Sequence, residues 1–241
     1  MRRNGSCTAA GRIRYVHDRR LGNPKDNRAA YIDATSAAGL EARSRFRQLL
    51  GEGDGAAGVL ELAKLVSEGN LKGLSQVQGI TFKHNQQVVQ NPDRPFLADI
   101  DNLPRPAHHH FDTNMYKLFG VNYMPIITSR GCPSACTFCL ARKMCGHPFR
   151  GRSPSKVVDE LEWLRDEFHA GAFAFYDDTF TFDLKRAHAI CDEMQKRKVD
   201  LPWDCRTRVD RVNKELLAKL KATNCQLIHF GVESGSPEML K

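Results

Sequence analysis

Hydrophobic and polar positions along the 241 residues change their rhythm near Tyr123. Before that point no period is sustained for long. Residues 1–50 are rich in arginine and alanine, with only a faint apolar repeat near Leu40–Leu50, and read as a basic, poorly structured N-terminal segment. A disordered arm, a transit-type presequence and sequence foreign to the fold all share this composition. Gly51–Gly58 precedes a helical pattern at Val59, Leu60, Leu62, Leu65 and Val66. Its literal G-x-G-x-x-G, at Gly53, Gly55 and Gly58, follows no strand, so it predicts a glycine-rich turn capping a helix rather than a dinucleotide loop. Gly79–Val89 reads as a hairpin of two short strands, and Pro92, Pro95, Pro104 and Pro106 mark a connector.

From Tyr123 onward, apolar runs of strand length alternate with helical repeats. Strands are predicted at Met124–Thr128, Ala172–Tyr176, Leu201–Arg206 and Gln226–Val232. Between them, Ser153-Pro154-Ser155 opens a helix with Val157, Val158, Leu161, Leu164 and Phe168 on one face. Asp183 caps a second helix, faced by Leu184, Ala187, Ile190, Cys191 and Met194, and Asn213–Ala222 forms a third with Leu216, Leu217 and Leu220. Strand-helix units of this length predict an α/β fold with a parallel sheet and right-handed crossovers. In barrels built this way the site lies at the C-terminal strand ends.

Composition narrows the setting. No apolar run approaches the roughly 18 residues that span a bilayer, and no apolar segment follows Arg2 and Arg3, so neither a membrane span nor a signal peptide is expected. The net charge of +8 is an N-terminal property: residues 1–50 hold 11 Lys+Arg against 4 Asp+Glu, leaving 25 against 24 for the remainder. That distribution argues against nucleic acid as a partner of the folded body. Eight cysteines are enough for a disulfide scaffold, but Cys7, Cys191, Cys205 and Cys225 are scattered, and a reducing cytoplasm is expected. Cys191 and Cys225 read as small core residues, and His108, His109 and His110 as solvated or packing side chains.

The chemistry concentrates after the first predicted strand. Cys132, Cys136 and Cys139, in the run Gly131–Cys139, have spacings that ligate three corners of an iron–sulfur cube and leave the fourth iron open. Two other readings fit the same thiols: a structural zinc site completed by Cys145 or His147, and inert buried cysteine. The other strand exits carry Asp177 and Asp178, Arg206 and Arg208, and Glu233-Ser234-Gly235-Ser236, with charge expected at the exits and none inside the strands. Arg206 reads equally well as an ion-pair partner of Asp177 or Glu233.

The Cys-x3-Cys-x2-Cys spacing, with Phe138 before the last cysteine, resembles the radical S-adenosylmethionine (radical SAM) enzymes. Residues 51–241 resemble the subgroup that carries an N-terminal cobalamin-binding domain, through Leu103–Ala107, Arg152-Ser153-Pro154, Asp177–Thr181, Cys205–Arg208 and Phe230–Ser236. The resemblance implies a partial (β/α) TIM-like barrel of the radical SAM type, truncated after the fourth strand. Residues 120–241 would be its incomplete core and residues 51–119 a linker and remnant of an N-terminal domain. It implies a 4Fe-4S cluster on Cys132, Cys136 and Cys139 whose open iron takes S-adenosyl-L-methionine. Reductive cleavage would then yield a 5'-deoxyadenosyl radical for methyl transfer or oxidative cyclisation of an unactivated substrate. By position, the backbone near Phe138 would lie against the adenine, Asp177 and Asp178 would meet the methionine amino group, and Glu233 and Ser234 the ribose and methionyl part. Arg206 would meet the carboxylate. Expected partners are a small-molecule substrate and a one-electron donor such as flavodoxin or ferredoxin. Cobalamin is expected only in full-length relatives, since residues 1–50 lack Asp-x-His-x-x-Gly: His17 is followed by Asp18-Arg19-Arg20. A tRNA methylthiotransferase is the rival within the class, although residues 1–131 offer only Cys7 where those enzymes carry an upstream three-cysteine domain. A non-catalytic zinc-binding module is the rival outside it. A fourth strand left as an edge predicts exposed apolar side chains and poor solubility.

Overall fold

The computed structural model describes three short strands, β1 (Arg12–Arg14), β2 (Ala30–Ala34) and β3 (Leu40–Ser44), and then residues 53–239 apart from 85, 86, 116 and 119. The irregular segment expected over residues 1–50 falls largely outside the described residues, as does Cys7. The chain divides into two compact units, Met1–Leu97 and Ala98–Lys241, so residues 98–119 go with the second.

In the first unit, β1, β2 and β3 pair antiparallel. Helix α1 (Gly53–Ser67) and the hairpin of β4 (Thr81–His84) and β5 (Gln87–Gln90) follow. The helix begins at Gly53, so Gly53, Gly55 and Gly58, expected in a turn ahead of it, lie inside it. Each glycine costs a helix about 1 kcal/mol relative to alanine. The opposing gain is the burial of Leu62 and the packing of Leu65 against Leu74, Val77, Ile80 and Phe82. Asn91 ties this cluster to its loops, its Nδ2 donating to the carbonyls of Leu74 and Val77 at 2.7 Å each.

The second unit contains β6 (Lys117–Leu118), β7 (Val121–Ile126), β8 (Ser129–Arg130), α2 (Ala141–Met144), β9 (Arg150–Gly151), α3 (Pro154–Phe168), β10 (Ala170–Phe175), α4 (Leu184–Lys196), β11 (Trp203–Arg208), α5 (Lys214–Ala222) and β12 (Cys225–Gly231). Its main sheet has the order β12-β11-β10-β7-β6, with β7, β10, β11 and β12 mutually parallel and β6 antiparallel at the edge. The expected helices form, Asp183 caps α4 as expected, and Asn213, expected as the first residue of α5, is instead its cap, while the cap bond expected of Ser153 does not form. Asp183 accepts from the Arg186 N–H at 3.0 Å and Asn213 from the Leu216 N–H at 2.8 Å. Ser153 precedes the Pro154 of α3 in extended conformation without a side-chain cap bond; its own N–H donates to Asp101 Oδ1 at 2.9 Å.

One apolar cluster joins all three long helices to one face of the sheet. Val157, Val158, Leu161, Leu164, Ala187, Ile190, Cys191, Met194, Leu216 and Leu220 meet Met124, Ile126, Phe173, Phe175, Trp203 and Cys205. Trp203 anchors it, edge-on to Phe175 and Phe180 with ring centroids at 5.0 and 5.6 Å, while its Nε1–H reaches the Thr223 carbonyl at 2.5 Å. Four parallel strands in sequential order with every crossover on the same side curl the sheet into a half barrel, not the doubly wound sheet that helices on both faces would give.

Three expectations need correction. Leu217 is not core but 37% exposed, because the nine-residue α5 turns only Leu216 and Leu220 toward the sheet. Asp204 lies inside β11 and is buried, so charge is not confined to the strand exits. The strand limits also shift: β7 and β10 run earlier than expected and β11 later. At β12, which pairs with β11, Leu227 and Phe230 are exposed, as an edge strand predicts. Among the described residues no helix is long and apolar enough to cross a membrane.

Candidate functional site at the strand ends

Because β7, β10, β11 and β12 run parallel, their C-terminal ends share one edge, and the cysteine loop rises from the first of them. Residues 131–149 leave β8 and return through β9, which pairs Ser129 with Gly151 and Arg130 with Arg150. Gly131 adopts φ +83°, and a Cβ there would stand 2.1 Å from the Pro148 carbonyl oxygen. A Cβ has no room there and L side chains rarely adopt this φ, so the residue before Cys132 is glycine for reasons of backbone closure. The Cys132 N–H then donates to the Gly146 carbonyl at 3.2 Å, and Arg150 Nη2 donates to the Cys145 carbonyl.

Beneath this loop lies a buried polar brace. Asp177, 1% exposed just past the end of β10, accepts from the Thr128 N–H and hydroxyl at 2.7 Å each, from the Ser129 hydroxyl at 3.0 Å and from the Ser129 N–H. Burial pushes its carboxyl pKa up, opposed by these bonds and by the Arg186 charge. Arg186, in the first turn of α4, reaches the same place, with Nε on the Arg152 carbonyl at 2.8 Å and Nη2 on the Thr128 carbonyl at 2.5 Å. A Cβ at Gly151 would meet Arg186 Nε at 2.6 Å, so that glycine makes room for the guanidinium. Arg152 is itself paired with the buried Glu160. Neither Arg186 nor Glu160 carries a signal in sequence beyond sitting beside an apolar helical face.

The three cysteines differ in setting. Cys132 is buried, Cys136 half-buried and Cys139 exposed, and none of the seven described cysteines forms a disulfide. Cys136 Sγ accepts from Arg208 Nη1 at 3.4 Å, and Cys139 Sγ from the Ala141 N–H at 3.4 Å. The thiols share a loop but do not converge: among the described residues no three His, Cys, Asp or Glu side chains are grouped to hold a metal ion. Phe138 is 68% exposed on the same loop. Of the scattered cysteines, Cys191 is a core residue, its thiol pushed up to about 11 by burial.

At the other exits, Asp178 is solvent-facing, its pKa raised by desolvation against an opposing hydrogen bond with Cys145. Glu233 is exposed at φ 62°, and the Ser234 hydroxyl accepts the Ser236 N–H at 3.0 Å. Among the described residues no ion pair joins Arg206 to Asp177 or Glu233. Its guanidinium lies 3.8 Å over the Tyr176 ring instead, with Nη1 buried and unpartnered. His108 packs between Trp163 and Phe168 with its pKa lowered by burial, whereas His109 and His110 are exposed.

Alternation along β11 places Asp204, Arg206 and Arg208 on the face opposite Trp203 and Cys205. Asp204 Oδ1 stands 3.5 Å from His229 Nε2. Burial raises the Asp204 carboxyl above its ordinary 3.8, with His229 and Arg206 opposing. A raised value means that the unfolded chain releases this proton first, so the group turns against the folded state as pH climbs past about 3.8. Asp204→Asn is therefore expected to raise the urea midpoint at pH 7, with the gain shrinking at pH 4.5. An unchanged or lowered midpoint at pH 7 would show that His229 and Arg206 outweigh burial.

Comparison with known proteins agrees with this geometry. Residues 126–241 match the Radical SAM superfamily. The chain is 34% identical over 190 residues to an uncharacterized methyltransferase of Pyrococcus horikoshii, covering 78% of this chain and 41% of the relative. It is 30% identical over 213 residues to the anaerobic magnesium-protoporphyrin IX monomethyl ester cyclase of Cereibacter sphaeroides, covering 82% and 35%. The chain thus spans less than half the length of these curated relatives. Among solved structures, the radical S-adenosylmethionine methyltransferase TsrM from Kitasatospora setae superposes with a TM-score of 0.63 at 21% identity, covering 79% of this chain and 38% of that one. With the family match, the parallel half barrel and the cysteine loop at its strand ends in agreement, residues 126–241 of this chain belong to the radical SAM superfamily.

Proposed function

We propose that this chain carries the core of a radical SAM enzyme that binds a 4Fe-4S cluster through Cys132, Cys136 and Cys139, together with S-adenosyl-L-methionine. The supporting observation is the set of three thiols on a loop pinned at the exit of the first parallel strand, two of whose sulfurs already accept N–H donors. In kind and number this donor set suits the cluster, which needs three thiolates and one open iron. When bound, the cluster supplies the electron that cleaves S-adenosyl-L-methionine and yields a 5'-deoxyadenosyl radical. The chain's own residues hold and orient. Thr128, Ser129, Asp177 and Arg186 fix the loop's base. Because Asp177 already accepts four bonds, it acts by positioning the loop, and the solvent-facing Asp178 is the carboxylate left to meet the cofactor's ammonium. The unpartnered Nη1 of Arg206 suits the cofactor's carboxylate, and Glu233, Ser234 and the backbone near Phe138 complete the cofactor surface.

Methyl transfer or oxidative cyclisation of a small, unactivated substrate is the reaction class, in keeping with a methyltransferase and a cyclase among the relatives. Residues 120–241 form the core, with residues 98–119 in the same compact unit, residues 51–97 a linker segment and residues 1–50 a basic segment. A flavodoxin- or ferredoxin-type donor supplies the electron, in a reducing cytoplasm that keeps the thiols free. Anaerobic iron-sulfide reconstitution followed by EPR of the dithionite-reduced protein tests this reading. A cluster signal that changes on adding S-adenosyl-L-methionine is the expected result. Colourless protein holding one zinc ion would overturn it in favour of a zinc module.

A further inference from the structure

Arg208, the last residue of β11, reaches the cysteine loop from two strands beyond β7, 72 positions along the chain from the thiol it touches. Its guanidinium is gripped by Asp210 in a two-point fork, Nε to Oδ1 at 2.8 Å and Nη2 to Oδ2 at 2.9 Å. Those two contacts occupy one edge of the fork and leave Nη1 to point at Cys136 Sγ, 3.4 Å away. The Arg208 and Asp210 side chains are 39% and 51% exposed, so packing does not aim the guanidinium; the two-point contact does. Among the described residues, Cys136 is the one of the three ligand candidates whose sulfur has a charged donor, Cys139 having a backbone N–H. As a surface ion pair alone, Arg208–Asp210 contributes little to the fold.

We infer that Arg208, aimed by Asp210, is a positioning residue that donates to the Cys136 sulfur at the cluster site and raises the cluster's reduction potential. The inference rests on the proposed function. The physical reason is that one-electron reduction adds negative charge to the cluster and its sulfurs, and a cationic donor at a ligating sulfur stabilises the reduced state more than the oxidised one. The sequence marks Arg208 only as a polar residue at a strand exit, whereas the structure assigns it a named sulfur.

An EPR-monitored redox titration of the reconstituted chain, comparing wild type with Arg208→Gln, Arg208→Lys and Asp210→Asn, tests the inference. Arg208→Gln is expected to lower the reduced-to-oxidised ratio at a fixed ambient potential about tenfold, equivalent to about 59 mV for a one-electron couple. Arg208→Lys, which keeps the charge but loses the fork, is expected to shift it less, as is Asp210→Asn, which keeps the donor but loosens its aim. A potential unchanged or raised in Arg208→Gln and Arg208→Lys, whatever happens to cluster content or melting temperature, would overturn it and leave Arg208 a structural residue. Failure of the wild-type chain to form any cluster would instead defeat the proposed function on which it rests.

Discussion

A Cys136→Ala chain is expected to fold as its parent does and to lose the cluster signal completely after reconstitution. The fold is indifferent to this thiol for a local reason. Cys136 is half-buried on a loop outside the apolar cluster, and its sulfur's side-chain partner is Arg208. Substitutions at such sites usually change stability by no more than about 0.5 kcal/mol. Cluster ligation has no such tolerance, since each missing thiolate leaves an iron without its protein bond. Cys191→Ala is the complementary control, because that thiol is fully buried on α4 and takes no part in the loop. It is expected to lower the melting temperature while leaving the EPR signal per folded protein intact. Iron and sulfide content, circular dichroism and EPR on the two variants separate the roles, and a full signal from Cys136→Ala would mean that other residues ligate the metal.

Asp177→Ala is expected to have the opposite profile, a large loss of stability at a residue whose carboxylate is taken up by the protein's own donors. Its carboxylate satisfies two backbone N–H groups and two hydroxyls at the exit of β7, and it is the leading opposite charge near the buried Arg186. Removing one partner of a buried polar network leaves the remaining groups desolvated and unpaired, at about 1–3 kcal/mol per stranded group. A total loss of roughly 3–5 kcal/mol follows for a network of this kind, measurable as a fall in the urea midpoint. Asp177→Asn distinguishes shape from chemistry. It keeps the volume but turns an NH2 toward N–H and O–H donors, so it too is expected to destabilise, with cluster loading falling in parallel as the loop loses its base. A change below about 1 kcal/mol in both variants would show that Thr128 and Ser129 hold the strand exit without it.

The two aspartates show how far residue identity carries an argument. Position alone assigns Asp177 and Asp178 the same task, since both follow the second strand. Their burial divides them, one sealed under the cysteine loop and one facing solvent. Arg206 and Arg208 likewise read alike in sequence, yet one lies on Tyr176 and the other reaches Cys136.

What the sequence determined by itself is local. Helix faces at 3.6-residue spacing, the cap at Asp183, the strand-helix alternation and the cysteine spacing on the first strand exit all depend on neighbours a few residues away, so they are legible without coordinates. The tertiary structure alone decided what those residues meet. Asp177 finds Thr128 across 49 positions, Arg186 the same residue across 58, and Arg208 its cysteine across 72. Those pairings follow from the register in which parallel strands align and from the side on which each crossover helix packs. A shift of one residue in that register turns a side chain to the other face of the sheet, and no short-range pattern in the chain encodes it.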